Sequence, residues 1–451
     1  MRKLPAQRND IYMLGIGGIG MSALARYFRQ EGCQVSGYDR TPSPLTRQLE
    51  AEGIAVHYSE DVSLLPAKVD LVIYTPAVPS EHAGFRVLRE RAVPCMKRAE
   101  ALGALSREKR TVALAGTHGK TSMTALTTLL FRAQEPVTAF IGGIASNFQS
   151  NLVNDAGAKR MIVEADEFDR SFLQLTPEIA VVSSMDADHL DIYHTEEALH
   201  EAFDAFSQQI ETGGCLITKP ELRSRFHTER RVYTYALQDP RADFQVEALR
   251  IGEGVSRFDA RTPDGLHKDL LLPTAGLYNV ENTLAAIAAA WAGGVPEEKI
   301  RTQLAQYKGV KRRFEYIIRR PDRVYVDDYA HHPNEIKACI ASARAWYPGK
   351  RICGVFQPHL YTRTRDFADA FASVLSTLDC AVLLDIYPAR ELPLPGVTSR
   401  MLLERMTLKE KYLCAKEDLV PLLRKLDPEV LLTMGAGDID REVVKIKNAF
   451  A

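Results

Sequence analysis

The chain has 451 residues, a length that predicts two or three domains instead of one. Its 57 lysines and arginines balance its 58 aspartates and glutamates, so net charge gives no general attraction to nucleic acid or to anionic membranes. The sequence shows no apolar run of about 18 residues and no secretory signal, and its seven cysteines are scattered as in reduced proteins, so we expect a cytoplasmic protein without membrane insertion.

The first predicted elements surround a glycine cluster. A buried strand leads into Gly15, Gly17 and Gly20, which satisfy the pattern G-x-G-x-x-G and open a predicted helix. The next predicted strand ends at Asp39, about 20 residues further on, where an acid that binds a ribose hydroxyl is expected. The pattern predicts a site for a nucleotide diphosphate. Spacing alone leaves open whether that nucleotide is a nicotinamide dinucleotide or another one.

A second glycine turn, over residues 116–121, follows a predicted strand and opens a predicted apolar helix. Its glycines let backbone N–H groups surround anionic oxygens, Lys120 can reach the terminal phosphates, and the Thr121 hydroxyl can bind Mg²⁺. The usual phosphate loop has a glycine where this chain has Leu114. Because strand, turn and helix nevertheless follow in the required order, we predict an ATP site at residues 116–122.

Two further predicted strands run into acidic segments, at residues 164–169 and 186–191. Closely spaced carboxylates repel one another unless a cation or hydrogen-bond donors compensate. We therefore predict that Glu164 and His189 are ligands of Mg²⁺ on the sheet edge that carries the phosphate loop. The alternative is that these acids cap helices or lie in a solvated loop.

Residues 213–270 are predicted to be rich in strands and to contain few candidate catalytic or binding residues. A helix of small apolar residues follows, and Asn279 and Asn282 at its start lie on one face, where they could contact a purine. Asn279 could equally cap that helix. Residues 308–314 form a predicted basic linker.

The last third of the chain predicts another α/β unit. Each of four predicted strands ends in polar residues, and in an open α/β sheet the carboxyl ends of the strands form the ligand-binding edge. The polar segments are residues 327–333, 357–365, 385–391 and 435–438.

Together these motifs resemble those of the Mur ligases. The matching segments, in the expected order, are residues 15–22, 116–121, 164–167, 186–189, 327–333 and 357–359. The resemblance implies an α/β protein of three domains. It implies a Rossmann-like UDP-sugar-binding domain at residues 1–103, a central phosphate-loop ATPase domain at 104–310 and a C-terminal Rossmann-like amino-acid-binding domain at 311–451. It also implies that the first glycine cluster holds a uridine diphosphate and not NAD.

The family branch that the chain resembles most uses ATP and Mg²⁺ to join L-alanine to the lactyl carboxylate of UDP-N-acetylmuramate through an acyl phosphate. The expected partners are therefore these two substrates, with no nucleic acid, in a monomer or homodimer. A sibling ligase that attaches a whole tripeptide to the same UDP-sugar shares nearly all these motifs. The alternatives outside that branch are a dinucleotide-dependent oxidoreductase with a fused nucleotide-binding domain and a non-catalytic UDP-sugar sensor gated by ATP.

The resemblance also implies roles for individual residues. The UDP-sugar is expected on Gly15, Gly17, Gly18, Gly20, Met21, Ser22 and Asp39. ATP is expected on Gly116, Thr117, His118, Gly119, Lys120, Thr121, Ser122, Asn282, Arg313 and Asp328. Mg²⁺ is expected on Thr121, Glu164 and His189, the amino acid on His359 and Arg363, and catalysis on Lys120, Glu164, His189 and His331.

Three positions depart from the family pattern. Ser122 replaces a common threonine, Tyr278 stands where the family usually has histidine, and Leu360 stands where many members have an arginine thought to bind the amino-acid carboxylate. If residues 361–365 begin a helix, Arg363 is the cation expected to take over that carboxylate.

Overall fold

The computed structural model describes residues 3–5, 8–186, 190–252, 255–274, 276–389 and 391–450. The chain divides into two compact units. The first consists of Met1–Leu249, Arg257–Leu272 and Glu281–Lys308, and the second of Arg250–Ser256, Pro273–Val280 and Gly309–Ala451. Three sheets run through the described residues, two of them based in the first unit and one in the second.

The first sheet has five strands in the order β3-β2-β1-β4-β5, and all its neighbours are parallel. Its strands are β1 Asp10–Leu14, β2 Gln34–Tyr38, β3 Ala55–His57, β4 Leu71–Tyr74 and β5 Cys95–Lys97. Its helices are α1 Ile19–Gln30, α2 Pro44–Ala51, α3 Ala83–Glu90 and α4 Arg98–Ser106, with a 3-10 turn at Val62–Leu64. The order reverses between β1 and β4, and such a switch point opens a crevice at the carboxyl end of β1. The first glycine cluster lies there.

The apolar residues of β1 explain its central place in this sheet. Ile11 and Met13 are buried in the same core as the inner face of α1, while Tyr12 and Leu14 are buried in a second core with Phe85 of α3. A strand covered on both faces carries apolar residues without alternation, as this one does.

The second sheet has ten strands in the order β15-β14-β13-β12-β11-β10-β6-β9-β7-β8. Its strands are β6 Arg110–Ala115, β7 Val137–Ala145, β8 Ser150–Asn154, β9 Arg160–Glu164, β10 Ile179–Val182, β11 Cys215–Thr218, β12 Arg231–Ala236, β13 Phe244–Gly252, β14 Val255–Thr262 and β15 Gly265–Leu272. The helices of this region are α5 Lys120–Arg132, α6 Leu190–Tyr193, α7 Glu196–Gln208, α8 Leu277–Ala292 and α9 Glu297–Leu304, with 3-10 segments at Phe168–Gln174 and Pro220–Arg225. Because β6 pairs in parallel with both β9 and β10, the ends of these three strands meet beside the phosphate loop.

The third sheet has the order β16-β17-β21-β18-β19-β20, in which only β16 is antiparallel to its neighbour. Its strands are β16 Glu315–Arg319, β17 Val324–Asp328, β18 Ile352–Phe356, β19 Cys380–Leu383, β20 Lys411–Leu413 and β21 Val430–Met434. Its helices are α10 Pro333–Trp346, α11 Tyr361–Asp366, α12 Ala368–Leu375, α13 Ser399–Arg405, α14 Lys416–Leu426 and α15 Asp440–Phe450. Apolar cores cover both faces of this sheet.

The predicted α/β class is confirmed, as is the strand-rich character of residues 213–270. The predicted helix after the phosphate loop begins at Lys120, and α8 begins at Leu277, so Asn279 lies inside the helix instead of capping it. The antiparallel β7–β8 hairpin was not predicted, because Gly142 and Gly143 weaken the strand signal of β7. No helix in the described ranges is both long enough and apolar enough to cross a bilayer.

Candidate active site

We call the turn between β1 and α1 the first cradle. Its shape is held by backbone hydrogen bonds and by the close packing of Gly15 against Thr75. The N–H groups of Gly15 and Ile16 donate to the Tyr38 carbonyl oxygen at 2.8 and 3.0 Å, which ties the turn to the end of β2. Gly15 has φ +80°, and a Cβ there would lie 2.4 Å from Cγ2 of Thr75. Only glycine fits this position, because both the backbone conformation and the space exclude a side chain.

Asp39 shapes the first cradle directly. Its Oδ2 accepts a hydrogen bond from the Gly17 N–H at 2.8 Å, and its Oδ1 accepts one from the Thr41 N–H at 3.2 Å. The acid predicted to meet a ribose is thus already bound to the glycine turn, and any role toward a ribose comes in addition to fixing that turn.

The start of α1 has the properties of an anion site. Its N-cap residue, Gly18, makes no side-chain capping bond, and its first turn carries no acidic residue. Free backbone N–H groups and the helix dipole favour a bound anion there. Met21 and Ser22 are buried, and Ser22 Oγ donates to the Ile19 carbonyl oxygen at 3.0 Å, so their side chains support the helix start from inside.

The phosphate loop, the second cradle, is shaped by the residues that follow β10. Gly116 has φ +126°, and a Cβ there would lie 2.2 Å from Ser183 Oγ, which itself donates to the His118 carbonyl oxygen at 2.7 Å. Ser184 Oγ accepts hydrogen bonds from the His118 N–H at 2.9 Å and from Thr117 Oγ1 at 3.0 Å. Neither Ser183 nor Ser184 was predicted to have a role. Their position just after a strand that neighbours β6 is the signal that could have found them.

The second acidic segment also reaches this loop. His118 Nε2 lies 3.0 Å from Asp186 Oδ2, and the Asp186 N–H donates to Thr117 Oγ1 at 3.2 Å. His189, predicted as a metal ligand and catalytic residue, lies outside the described residues.

Lys120 is held by a buried carboxylate. Its Nζ donates to both oxygens of Glu167 at 2.9 Å and to the Gly116 carbonyl oxygen at 2.8 Å. The Glu167 side chain is 0% exposed. Burial by itself disfavours the ammonium, but Glu167, Asp166 and Glu164 outweigh it, so the pKa of Lys120 lies above its usual value. The lysine therefore remains a cation in the site.

Glu164 ends β9 against a glycine of β7. Its Oε2 accepts a hydrogen bond from the Gly142 N–H at 3.0 Å, and a Cβ at Gly142 would come within 2.3 to 2.5 Å of the carboxylate atoms. Thr121 is buried in the first turn of α5. Within the described ranges no three His, Cys, Asp or Glu side chains gather as a metal site. Magnesium takes few protein oxygens and completes its shell with water and phosphate, so a hydroxyl and a carboxylate at this edge suit it.

Asn282 lies beside the phosphate loop, as its predicted role in ATP binding requires. A Cβ at Gly119, where φ is +80°, would come within 2.4 Å of Asn282 Oδ1. Ser122 is buried in α5, and its carbonyl oxygen accepts a hydrogen bond from Tyr307 at 3.4 Å.

In the second unit, Asp328 organises the segment that carries the predicted residues Arg313 and His331. Its carboxylate accepts hydrogen bonds from the N–H groups of Phe314 at 2.7 Å and Ala330 at 2.8 Å. Burial raises the pKa of Asp328 to about 6, although Arg313 and these two bonds oppose the shift. The guanidinium of Arg313 lies 5.0 Å from the Tyr329 ring centre.

Two predicted histidines meet at the edge of the third sheet. The ring centres of His331 and His359 are 6.0 Å apart, and His359 stacks on Tyr387 at 5.8 Å. Leu360 is the N-cap of α11 with φ +68°, an unusual conformation for a non-glycine residue, and Arg363 lies within that short helix. A helix does begin within residues 361–365, as the predicted role of Arg363 requires.

Tyr278, which departs from the family pattern, also belongs to the second unit. Its hydroxyl is buried and has no hydrogen-bond partner among the described residues. Burial raises its pKa well above the usual value, so the side chain stays neutral.

Models of the Mur ligase family match along the chain. The catalytic domain of that family matches residues 10–110, its middle domain residues 114–290 and its glutamate ligase domain residues 312–437. The first and third sheets lie within the first and last of these spans, and the second sheet lies within the middle span apart from the start of β6 at Arg110.

Curated relatives and solved structures agree with those matches. UDP-N-acetylmuramate–L-alanine ligase of Porphyromonas gingivalis strain W83 is 46% identical, over 97% of this chain and 98% of its own. The ligase of the same name from Flavobacterium psychrophilum is 47% identical over 98% of each chain. The crystal structure of UDP-N-acetylmuramate-alanine ligase from Thermotoga maritima superposes with a TM-score of 0.83 at 25% identity, over 98% of this chain and 99% of its own. A murein peptide ligase from Psychrobacter arcticus, 22% identical over 98% of each chain, shares the fold with a TM-score of 0.75.

Proposed function

The chain belongs to the Mur ligase family, and from this premise we propose that it joins L-alanine to the lactyl carboxylate of UDP-N-acetylmuramate at the expense of ATP. The reaction makes a peptidoglycan precursor.

One observation supports this function most strongly. The first unit holds two strand–glycine turn–helix cradles, and only the second presents a lysine with a cluster of carboxylates. A sugar nucleotide that keeps its phosphates needs only to be held, whereas ATP must give up a phosphoryl group, and that transfer requires charge stabilisation. The alternative function, a dinucleotide-dependent oxidoreductase, would not require the lysine and carboxylates of the second cradle.

The chemistry follows from the weakness of a carboxylate as an acyl donor. The lactyl carboxylate attacks the γ-phosphate of ATP to give an acyl phosphate and ADP. The amine of L-alanine then attacks the acyl carbon, and phosphate leaves from the tetrahedral intermediate. Lys120 stabilises the charge on the β- and γ-phosphates, while Thr117, His118 and Gly119 hold the loop that surrounds them.

Magnesium fits the oxygen donors at the same edge. Thr121 and Glu164 would hold it, together with His189, and when bound it neutralises charge on the ATP phosphates. Gly142 fixes Glu164 through its N–H, so the carboxylate is oriented by the protein before a cation arrives.

The remaining predicted roles belong to residues of the second unit. We propose that His359 and Arg363 bind L-alanine, that Arg313 and Asp328 bind ATP, and that His331 takes part in catalysis. Residues 1–103, 104–310 and 311–451 are the proposed UDP-sugar, ATP and amino-acid domains. We place the enzyme in the cytoplasm, where its nucleotide substrates are, as a monomer or homodimer.

Phosphate release tests the assignment. The purified chain is mixed with ATP, Mg²⁺ and UDP-N-acetylmuramate, and each amino acid and the L-Ala-D-Glu-diaminopimelate tripeptide are compared as acceptors. We expect L-alanine to give the highest kcat/KM. Preference for the tripeptide would reassign the chain to the recycling ligase, and no release with any acceptor would contradict the ligase itself.

Arg363 gives a sharper test of the amino-acid site. Because Leu360 leaves the alanine carboxylate without the usual arginine, Arg363→Ala should raise the KM for L-alanine about ten- to a hundred-fold, the loss of about 1.4 to 3 kcal/mol for one charge-assisted contact. The KM for ATP should barely move. Arg365→Ala is the control, since Arg365 pairs with its neighbour Asp366 at 2.7 Å. An unchanged alanine KM in Arg363→Ala would refute the contact.

A further inference from the structure

An arginine outside every predicted motif lies against the first cradle. Arg98 is the first residue of α4 and directly follows β5. Leu14 pairs in register with Tyr74, and Tyr74 pairs with Lys97, so Gly15, Thr75 and Arg98 all come just past the same sheet edge. Topology alone therefore brings Arg98 to the edge that carries the glycine turn.

The side chain of Arg98 reaches back to Gly20. A Cβ built at Gly20 would lie 3.1 Å from both Cδ and Nη1 of Arg98 and 3.5 Å from Cζ. The third glycine of the G-x-G-x-x-G pattern is usually explained by close packing of helix on strand. Here it also makes room for a guanidinium beside the first turn of α1.

The first cradle needs such a cation. A UDP-sugar brings about two negative charges on its diphosphate, and a helix N-terminus offers only about half a positive charge. The turn and the first half of α1, residues 15–25, contain no lysine or arginine. Arg26 is next along the chain, but it is buried and its guanidinium is held by Glu52 at 2.8 Å.

The present partner of Arg98 is weak. Its Nη2 lies 3.7 Å from Asp166 Oδ2, and both side chains keep access to solvent, 22% and 36% exposed. A partly exposed ion pair at this distance contributes little free energy, so phosphate oxygens can replace the carboxylate.

We propose that Arg98 is a substrate-binding residue whose guanidinium binds the diphosphate of the UDP-sugar on the first cradle. This inference rests on the proposed function and adds to it the cation of the sugar-nucleotide site. Because Asp166 lies near Lys120 on the acidic segment of the ATP site, Arg98 connects the two cradles when no substrate is bound.

Calorimetry on the full chain tests the proposal with UDP, UDP-N-acetylmuramate and a non-hydrolysable ATP analogue. Arg98→Ala should weaken UDP and UDP-N-acetylmuramate alike, by about ten- to a hundred-fold, and leave the ATP analogue unchanged. Arg98→Lys should fall between wild type and alanine, because it keeps the charge and loses the planar pair of donors.

Two variants separate binding from support of the fold. Lys97→Ala removes the neighbouring cation and its 3.6 Å pair with Asp169, and it should leave UDP affinity as in wild type. Asp166→Asn removes the partner of Arg98 and should leave UDP affinity equal or higher. If Asp166→Asn weakened UDP as much as Arg98→Ala does, Arg98 would act only through its ion pair, and the proposal would be wrong.

The remaining outcomes are distinct from failure of the proposed function. Loss confined to UDP-N-acetylmuramate, with UDP unaffected, would move the contact from the diphosphate to the sugar acid and contradict the proposal. Equal affinities of Arg98→Ala and wild type for UDP would also overturn it. If wild type bound neither UDP nor UDP-N-acetylmuramate, the proposed function itself would fail.

Discussion

The two glycine cradles of the first unit share one architecture and differ in the charged side chains that contact the turn. In both, a buried strand ends in a turn whose first glycine has positive φ, and a helix begins within five residues of it. The first turn is bound by an acid, Asp39, which accepts from its backbone at 2.8 Å. The second contains its own cation, Lys120, which a buried acid holds from another strand end.

That difference separates holding a phosphate from transferring one. Backbone N–H groups and a helix start bind an anion without changing its reactivity. Moving a phosphoryl group requires a fixed positive charge where negative charge develops, and Glu167 fixes Lys120 before ATP binds. The turn geometry therefore identifies a nucleotide site, while the placement of charged side chains identifies its chemistry.

Lys120→Ala should separate the cradles most strongly. The variant loses the cation of the second cradle, so turnover should fall by about a hundred- to a thousand-fold, equivalent to about 3 to 4 kcal/mol of barrier. Steady-state phosphate release measures the loss. The first cradle is untouched, and a normal far-UV circular dichroism spectrum is the control for folding.

The Lys120–Glu167 pair should also matter for stability. Each single variant, Lys120→Ala or Glu167→Gln, leaves one charge of the buried pair without its counter-charge and should destabilise the protein by about 3 kcal/mol. The double variant removes both charges and should be more stable than the sum of the singles predicts. Urea unfolding of wild type, the two single variants and the double variant measures the coupling free energy. Strict additivity would show that the two side chains do not stabilise each other.

Gly142→Ala tests whether Glu164 belongs to the transfer chemistry. A methyl group there would meet the Glu164 carboxylate at 2.3 Å and displace it. We expect kcat to fall about tenfold, for about 1.4 kcal/mol, with a higher Mg²⁺ requirement and unchanged UDP affinity. Gly252→Ala, where an added Cβ meets nothing within 4 Å, is the matched control. A magnesium titration that matches wild type would exclude Glu164 from the metal site.

Asp39→Asn should have an effect similar in size to that of Gly142→Ala, and only on the first cradle. The carboxylate accepts hydrogen bonds from both Gly17 and Thr41, while an amide keeps one acceptor oxygen. The UDP-sugar Kd should rise about five- to thirty-fold, for about 1 to 2 kcal/mol. An unchanged Kd would show that Asp39 is dispensable for the turn.

Both cradles could be predicted from the sequence because the strand, glycine turn and helix of each one are consecutive in the chain. Glycine spacing, the preceding apolar strand and the following helix are local signals, and α1, α5, β1 and β6 lie where those signals place them. The edge argument also predicted that His331 and His359 share a ligand-binding edge, since the ends of parallel strands meet.

The contacts that position the charged side chains of the cradles could not be predicted from the sequence. Lys120 and Glu167 are 47 positions apart, and Gly142 and Glu164 are 22 apart. These pairs depend on which strands are neighbours in the sheet, and the order β10-β6-β9-β7 is not the chain order. The contact of Arg98 with Gly20 could not be predicted from the sequence for the same reason, because it depends on the strand order β1-β4-β5.

The most direct test of the separation is a crossed titration. Calorimetry of UDP-N-acetylmuramate and of a non-hydrolysable ATP analogue is carried out on wild type, Lys120→Ala and Asp39→Asn. We predict that Lys120→Ala weakens only the ATP analogue and that Asp39→Asn weakens only UDP-N-acetylmuramate. If either variant weakened both ligands to the same degree, the two cradles would be one site, and the account of separate holding and transfer would be wrong.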